Sequence, residues 1–473
     1  MAGRFIMMIA LFSLLVSGCA SLPSAAKPEL ADEGEIFVYL DPLPQEAERL
    51  KFTIDRVAAV GSDGSEFPLS LVLREIHSGT VTRQRFIAAG RLPPGQYSGL
   101  SFTAVRATLS GEERDAELLL PGGPVTKDFP FTLERKQSLV LSLVFRYEEA
   151  MQNGFSFTPS FSVYTPTLPA AGLVGYVANR DDNTVTVFDK KSGQVMGVIA
   201  TGRGPDSIAL DQKTGRAYVS LSREDAIEEI DLTQGGVIGK INLNMGDDPG
   251  ELALTSDGKV LLVVNSGSRT LGIVDPIRRI ETGRVPVGDG PRTLLVDRSG
   301  NRCYVFNTFS DTLSVVDIRN RALVGSVSTE ARPLRGQFNS RGDKLYVIHE
   351  GNPYLSIVDP FSLSVVQRVF AGPGIGAIKV DSATDTIYLF REGEGRVELY
   401  DAQSLLFGSL VPYDSIMAMS GVVRMAIDRE ENRLYLLSSQ NKLLTSISLV
   451  SKKIVAETDV GENAAWVTIM GER

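Results

Sequence analysis

The sequence is poor in residues that bind metals or form disulfides: it has two cysteines, two histidines and one tryptophan among 473 residues. Cys19 lies in an apolar N-terminal stretch, which leaves Cys303 without a partner for an internal disulfide. His77 and His349 fall in different predicted domains, so a multi-histidine copper centre cannot form. The motifs CxxCH, GxSxG, HExxH and the P-loop are also missing. We therefore expect no cofactor, no metal and no catalytic residue set of these classes.

An excess of basic residues is missing as well. Lys and Arg number 48 against 57 Asp and Glu, which gives a formal net charge of -9 at pH 7. A protein that binds nucleic acid through the phosphate backbone needs clustered cations. The sequence therefore predicts no nucleic acid partner.

The N-terminus has the pattern of an export signal. Arg4 precedes an apolar run over residues 5–16, which is too short to span a membrane as a permanent helix. The VSGC motif that ends at Cys19 resembles the bacterial lipobox, in which the cysteine is lipidated. This resemblance implies a signal peptide over residues 1–18, a lipid on Cys19 that attaches the protein to a bilayer and, from the two residues that follow, the outer membrane. A plain cleaved signal or a membrane anchor is the alternative.

Residues 19–172 predict a tether, one β domain and a linker. Residues 19–33 are small, polar and Pro-containing, as in a flexible tether. Residues 34–165 alternate strand-like apolar runs with turn residues and predict an all-β sandwich. Its LPPGQYSGL stretch, residues 92–100, resembles a turn of transthyretin-like and carboxypeptidase-regulatory-like sandwiches, and the domain is similar to an uncharacterised family of bacterial secreted sandwich domains. That resemblance implies no catalytic residues. Residues 166–172 predict a linker.

One strand pattern then returns up to the C-terminus. YVANRDDNTVTVFD at residues 176–189 is followed by LVVNSGSRTLGIVD at 262–275, YVFNTFSDTLSVVD at 304–317 and YVIHEGNPYLSIVD at 346–359. The residues that end this strand in successive copies are Asp189, Asp231, Asp275, Asp317, Asp359, Asp401 and Val450. Each copy has four short runs of apolar alternation, which predicts a four-stranded sheet rather than a helical hairpin. We expect residues 173–473 to form seven such sheets around an axis.

The two ends of this region predict how the ring closes. The first copy has three strands, and its missing inner strand appears as AAWVTIM at residues 464–470. Pairing of the two ends would remove free sheet edges. The segments YVAN, LVVN, YVFN and YVIH, with the Asp that follows each, resemble the YVTN-type β-propeller over residues 173–470. The resemblance implies an all-β, seven-bladed propeller. It says little about chemistry, because related propellers include surface-layer proteins, lactone hydrolases and redox enzymes.

Three residue types in the repeats have structural interpretations. The terminal Asp residues are predicted to cap turns, with a calcium site as the alternative. His349 takes the place that Asn occupies in other copies and predicts a turn hydrogen-bond donor, with an axial haem ligand as the alternative. Cys303 occupies a strand position that is small or aliphatic in other copies, which predicts a buried core residue.

Polar residues on the inner strands form the first candidate site. These residues fall at two aligned positions of the inner strands. The position near the channel mouth is occupied by Arg335, Arg424, Glu251 and Trp466, and the other position by Gln337 and Lys379. Buried charges need partners. The pattern predicts either a cationic mouth for an anionic ligand or a carboxylate side chain, or internal pairing with Glu251, Asp289 or Asp414.

Two insertions form the second candidate site. They are NMGDDPGE at residues 244–251 and VPYDSIMAMSG at residues 411–421, and both are predicted in loops on the mouth face. The second insertion contains Tyr413, Asp414, Met417 and Met419. It predicts an adaptable apolar loop that grips a partner, or a loop that only covers the channel.

Two functions follow from these patterns. The first is a non-enzymatic, membrane-anchored envelope lipoprotein that binds protein or polysaccharide through the loop-rich propeller face. The second is a lactonase-like hydrolase with a metal at the channel mouth, for which Glu251, Asp248 and Asp289 are the available carboxylates. Whether these three carboxylates converge on one point would separate the two hypotheses.

Overall fold

The computed structural model describes residues 27–111, 114–169, 171–407 and 410–472. Within these ranges the chain is almost entirely β, with one short α-helix, α1 (Tyr147–Ala150). No helix in the described ranges has the length and apolarity that crossing a membrane requires. The predicted signal peptide and the predicted lipidation site Cys19 lie outside the described residues.

The N-terminal strands form two main sheets. In chain order these strands are β1 (Gly34–Leu40), β2 (Leu50–Gly61), β3 (Glu66–Pro68), β4 (Ser70–Leu71), β5 (Glu75–His77), β6 (Arg85–Leu92), β7 (Gly95–Leu109), β8 (Ala116–Glu117), β9 (Val125–Leu133), β10 (Ser138–Phe145), β11 (Met151–Gln152), β12 (Ser156–Phe157) and β13 (Phe161–Tyr164). One sheet has the order β13-β10-β1-β6-β4. The other has the order β3-β2-β7-β8, with β5 paired to β2 and β9 paired to β7.

Aromatic side chains from both sheets meet in one core. Phe52 of β2 stacks on Phe145 of β10, with ring centroids 5.3 Å apart. Phe102 of β7 contacts Phe161 of β13 at 4.7 Å between centroids. All four rings are buried, and such pairs stabilise a core beyond their apolar area. The sheets therefore pack face to face through these rings.

Beyond this domain the strands form four-stranded antiparallel sheets, of which the described residues contain seven. Sheet one contains β14 (Val174–Asn179), β15 (Thr184–Asp189), β16 (Val195–Ala200) and β41 (Ala464–Ile469); sheet two contains β17 (Pro205–Asp211), β18 (Arg216–Leu221), β19 (Ala226–Asp231) and β20 (Gly236–Asn242); sheet three contains β21 (Pro249–Leu254), β22 (Leu261–Asn265), β23 (Thr270–Asp275) and β24 (Ile280–Pro286); sheet four contains β25 (Pro291–Val296), β26 (Arg302–Asn307), β27 (Thr312–Asp317) and β28 (Ala322–Ser328). Sheet five contains β29 (Pro333–Phe338), β30 (Leu345–His349), β31 (Tyr354–Asp359) and β32 (Ser364–Phe370); sheet six contains β33 (Ile375–Val380), β34 (Thr386–Arg391), β35 (Arg396–Asp401) and β36 (Asp414–Met417); sheet seven contains β37 (Val422–Asp428), β38 (Arg433–Ser438), β39 (Leu443–Ser448) and β40 (Ile454–Asp459).

The first strand of each sheet, with β41 in sheet one, is its inner strand. Each inner strand contacts the inner strand of the next sheet, and β41 contacts both β17 and β37. Apolar side chains of neighbouring sheets are buried against each other, since one sheet cannot cover both of its own faces. This part of the chain is therefore β-propeller-like.

The last strand completes the first sheet. β41 runs antiparallel to β14, with Tyr176 opposite Thr468. A buried ion pair lies beside this pairing: Lys190 Nζ, just after β15, is 2.6 Å from Asp428 Oδ2 at the end of β37. The same Nζ donates to the carbonyl oxygen of Met470 at 2.8 Å. We call the β14–β41 pairing together with the Lys190–Asp428 pair the seam.

The repeated Asp residues cap the turns that follow them, as predicted. In sheet two, Asp231 Oδ1 accepts backbone N–H bonds from Thr233 at 2.8 Å and from Gln234 at 2.9 Å. In sheet three, Asp275 Oδ1 accepts from Ile277 at 3.0 Å and from Arg278 at 2.9 Å. Each carboxylate is thus used by its own turn, which explains why the residue recurs.

The repeated Asn residues tie two strands of a sheet together. Asn307 Nδ2 donates to Thr312 Oγ1 at 3.1 Å and to Ser314 Oγ at 2.9 Å. His349 makes the same link, with 2.9 Å between Nε2 and Ser356 Oγ. All of these side chains lie on strands or at their ends, and both Asn307 and His349 are buried. His349 therefore forms a hydrogen bond, as predicted, but the bond links two strands instead of closing a turn.

The N-terminal domain contacts the outer strands of sheets one and seven, on both sides of the seam. Asp459 of β40 accepts from Arg83 Nη1 at 2.7 Å, from Arg85 Nε at 3.0 Å and from the Phe86 backbone N–H at 2.9 Å. Gln84 Oε1 accepts the backbone N–H of Val195 in β16 at 2.8 Å. The two domains are therefore joined by polar contacts at the place where the ring of sheets begins and ends.

Candidate functional site

The third residues of the inner strands share one level of the channel. They are Ser207, Glu251, Thr293, Arg335, Ala377, Arg424 and Trp466. Side chains alternate between the two faces of a strand, so residues at the same position of equivalent strands have the same orientation in every sheet. The predicted group Glu251, Arg335, Arg424 and Trp466 is thus brought together at the channel mouth.

Glu251 of sheet three holds two arginines from other sheets. Its Oε1 is 2.9 Å from Arg424 Nη2 of sheet seven, and its Oε2 is 3.4 Å from Arg335 Nη1 of sheet five. The three side chains are between 10% and 19% exposed. Because sheets three and seven lie on opposite sides of the ring, this ion pair crosses the channel. Internal pairing, one of the two predicted possibilities, is therefore what the structure contains.

Trp466 of sheet one contacts both arginines of the same group. The Arg424 guanidinium carbon lies 3.2 Å from its ring centroid, and that of Arg335 lies 5.9 Å away. A flat guanidinium over an indole ring is a favourable cation–π arrangement. Arg424 Nη1 and Trp466 Nε1 are buried and have no hydrogen-bond partner among the described residues. We call Glu251, Arg335, Arg424 and Trp466 the mouth group. Two of its hydrogen-bond donors, Arg424 Nη1 and Trp466 Nε1, are thus not used by Glu251.

Burial dominates the protonation of this group. It raises the pKa of Glu251 to about 7, and the charge of Arg335 opposes that rise. With Glu251 ionised, the two arginines leave one excess positive charge at the mouth. Protonation of Glu251 would raise that excess to two.

The second predicted position lies deeper in the channel. Gln337 and Lys379 are the fifth residues of β29 and β33. Lys379 Nζ forms an ion pair with Glu472, near the C-terminus, and both side chains are about four-fifths buried. Lys379 is therefore paired apart from the mouth group, and Gln337 is half-buried on its own strand.

The structure corrects the placement of the second insertion. Asp414–Met417 is not a loop but β36, the outer strand of sheet six, and it pairs with β35 through Leu399 and Asp414. The extra residues precede it, in residues 402–413, whereas residues 360–363 make the same connection in sheet five. The described parts of that connection, residues 402–407 and 410–413, lie at the edge opposite the channel mouth. The apolar alternation of the segment is that of an edge strand, which was mistaken for an adaptable loop.

The four predicted residues of this insertion are consequently separated. Tyr413 and Asp414 lie at the opposite edge, where the Tyr413 hydroxyl is 3.4 Å from Thr386 Oγ1 and Asp414 pairs with Lys452. Met417 ends β36 at the mouth edge and is 75% exposed. Met419 packs against the core between sheets six and seven. These residues do not form one surface.

The three carboxylates considered for a metal have different partners. Glu251 contacts the two arginines, and Asp289 pairs with Arg269 at 3.0 Å. The backbone N–H of Asp248 donates to Asp225 Oδ1 at 2.8 Å. In the ranges that the structure covers, no group of three or more His, Cys, Asp or Glu side chains is placed to hold a metal ion. Cys303 is fully buried in a strand, and burial raises the pKa of its thiol.

An arc of five exposed apolar side chains lies at the mouth edge, and sequence reasoning identified only Met417 among them. They lie on consecutive sheets three to six: Met245 (98% exposed), Phe309 (72%), Tyr354 (40%), Phe370 (60%) and Met417 (75%). Tyr354 and Phe370 contact each other edge to face at 5.6 Å between centroids. The sequence did contain a sign of this arc at Phe309, which is an aromatic residue in a loop that has polar residues in the other copies of the repeat. We call these five residues the apolar arc.

Comparison with known proteins gives the fold. No protein-family model matches the chain, and no curated protein sequence does. Among solved structures, the chain is similar to hydrazine synthase of Kuenenia stuttgartiensis (TM-score 0.53, 18% identity, covering 59% of this chain and 93% of that one). It is also similar to a protein of unknown function from Desulfotomaculum acetoxidans (TM-score 0.54, 14% identity, 63% and 99%) and to a candidate 6-phosphogluconolactonase from Bacteroides fragilis (TM-score 0.52, 13% identity, 64% and 99%). At these identities the likeness concerns the fold alone: the chain contains a β-propeller-like domain.

Proposed function

We propose that the protein is a non-enzymatic binding protein of the bacterial cell envelope, anchored to a membrane by a lipid on Cys19. In this proposal residues 34–165 are a β-sandwich near the membrane. Residues 173–473 are a seven-bladed propeller closed at the seam, and its mouth edge recognises an envelope protein or polysaccharide. The outer membrane is the proposed location.

The apolar arc is the observation that carries this proposal. Exposed Met and aromatic side chains are enriched at recognition surfaces, because these large side chains bury much apolar area when a partner binds. The arc lies on sheets three to six, whereas the N-terminal domain covers the outer strands of sheets one and seven. The arc is thus on the part of the ring that the N-terminal domain leaves open.

The mouth group supports binding at the surface rather than reaction inside the channel. Glu251, Arg335 and Arg424 pair across the axis and bring their charges into one internal cluster. A partner that touches the arc would meet this cluster at its centre. The excess positive charge there favours an acidic contact on the partner.

Site-specific photo-crosslinking in intact cells tests the recognition surface. A photoreactive residue at Phe309 should give a discrete adduct, and the same residue at Ile277, which is 78% exposed on the opposite edge, should not. The substitution Met245→Asp should abolish the Phe309 adduct. Equal adducts at both positions, or hydrolysis of lactones by the purified protein, would contradict the proposal.

Metabolic labelling tests the anchor. Radiolabelled palmitate should enter the wild-type protein and should not enter Cys19→Ala. Label that survives this substitution would show that Cys19 is not the lipidated residue.

A further inference from the structure

A cavity of about 460 Å³ lies between the N-terminal domain and the seam. Its wall on the N-terminal domain contains the rings of Phe37, Tyr39 and Phe86, and Tyr39 and Phe86 are 5.3 Å apart between centroids. Its other wall contains Asp182 and Glu462, from two loops at the mouth edge. We call this cavity the interdomain cleft. Its volume and mixed lining are those of a site for a small molecule.

Two ion pairs lie in the cleft, and Arg91 and Asp182 are not part of either. Lys442 pairs with Glu462, and Lys27 pairs with Glu35. Arg91 donates to the main-chain carbonyl oxygens of Pro28 and Glu29. Asp182 also lines the cleft, and it forms no ion pair with any residue in the described part of the chain. Asp182 is therefore the carboxylate of the cleft that neither ion pair uses, while the Arg91 charge balances it in the total.

Backbone contacts hold Asp182 in place. Its Oδ2 accepts the backbone N–H of Glu462 at 2.7 Å, and Asn179 Oδ1 accepts that of the neighbouring Gly461 at 3.0 Å. A Cβ atom on Gly461 would stand 2.3 Å from Asp182 Oδ2, so only glycine allows this close approach. The Oδ1 atom accepts no hydrogen bond from the residues that the structure describes. A fixed carboxylate with one unused oxygen thus lies in a cavity with an aromatic wall.

Lys27 shows that an ammonium group fits at this place. Its Nζ pairs with the buried Glu35 and lies 5.5 Å from the ring centroid of Phe37. Its backbone N–H is bound by the carbonyl oxygen of Asp181, next to Asp182, at 2.9 Å. A carboxylate and an aromatic face together are the chemistry that recognises a cationic amine. Lys27 and Glu35 both line the cleft.

We propose that the interdomain cleft binds small molecules that carry a primary ammonium group on an apolar chain. The ammonium donates to Asp182 Oδ1, and the chain lies against Phe86 and Phe37. Lys27 is the internal competitor, because its ammonium reduces the negative potential that a ligand meets. This site is separate from the apolar arc and does not depend on the function proposed there.

Calorimetric titration of the full chain with n-hexylamine tests the proposal, with 1-hexanol as the uncharged molecule of equal length. Hexylamine should bind and hexanol should bind at least about tenfold more weakly, because a hydrogen bond between charged groups is lost. Lys27→Met should strengthen hexylamine binding. Asp182→Asn should weaken it at least about tenfold, and Phe86→Ala should weaken it as well.

Asp181→Asn is the matched control, since its carboxylate pairs with Arg223 outside the cleft. It should bind hexylamine as the wild type does. Asp182→Asn keeps an oxygen that can accept the Glu462 N–H, and its Trp466 emission should match that of the wild type if the seam is intact. The proposal fails if hexylamine binds neither the wild type nor Lys27→Met. It also fails if hexanol binds as tightly, or if Asp182→Asn and Asp181→Asn have equal effects.

Discussion

Removing the ammonium of Lys190 should open the seam. In the wild type, Lys190 Nζ is 2.6 Å from Asp428 Oδ2, and both side chains are 1% exposed. Lys190→Met would leave the Asp428 carboxylate buried without a cation and the Met470 carbonyl oxygen without its donor. Breaking a buried ion pair by removing one partner costs about 3–5 kcal/mol. We therefore expect the free energy of unfolding to fall by about that amount.

Trp466 makes this change directly visible. It is the single tryptophan of the chain and lies in β41, the strand that completes sheet one. Urea denaturation followed by tryptophan fluorescence therefore reports on the seam. Lys190→Met should unfold at lower urea than the wild type, with the emission shifting to longer wavelength as Trp466 meets water.

Two further variants separate the ion pair from a general effect of the substitution. Lys191→Met removes a neighbouring lysine that is 57% exposed and 3.7 Å from Glu431, so its effect should stay within about 0.5 kcal/mol. The double variant Lys190→Met/Asp428→Leu should recover much of the loss, because no buried charge is left unpaired. If Lys190→Met is no less stable than Lys191→Met, or the double variant is less stable than Lys190→Met alone, the reasoning about the seam is refuted.

Three other predictions concern the mouth, the domain interface and the turns. Burial raises the pKa of Glu251 to about 7 from the ordinary 4.5. The stabilisation of the folded state by protonated Glu251 is therefore fully present below pH 4.5 and is lost as the pH rises through 7. The urea midpoint of Trp466 fluorescence should fall over this range in the wild type and change less in Glu251→Gln; equal profiles would contradict the assignment. Asp459→Asn weakens the contacts with Arg83 and should cost about 1–3 kcal/mol. Limited proteolysis should then separate the two domains faster, and an unchanged rate would count against the interface. Asp275→Ala should cost about 0.5–1.5 kcal/mol through two lost turn hydrogen bonds. Calcium chloride should not change the Tm of either protein; stabilisation of the wild type alone would favour a calcium site.

The repeats were predictable because their signal is local and recurs. Each strand ends in a residue such as Asp275 that satisfies its own turn, so the period is visible without knowledge of the packing. The pairing of β41 with β14 followed from the missing strand of the first copy. The placement of Asp414–Met417 was wrong because short apolar alternation does not distinguish an edge strand from a loop.

The candidate site was predictable in its members but not in its contacts. Alignment of the inner strands placed Arg335, Arg424, Glu251 and Trp466 at one level, but it could not decide between a free cationic mouth and an internal cluster. That choice depends on how far each side chain reaches across the channel. The interdomain cleft could not be predicted, because Lys27 and Asp182 are 155 positions apart in the sequence and meet only when the two domains dock.

Completion of sheet one by β41 has a consequence for how the chain folds. β14 exposes an unpaired edge until the last residues have left the ribosome, since its partner strand is about 290 positions away. An unpaired inner edge is a template for pairing with another chain. We therefore expect nascent or truncated forms that lack the final strand to be the aggregation-prone species of this protein and the preferred clients of chaperones.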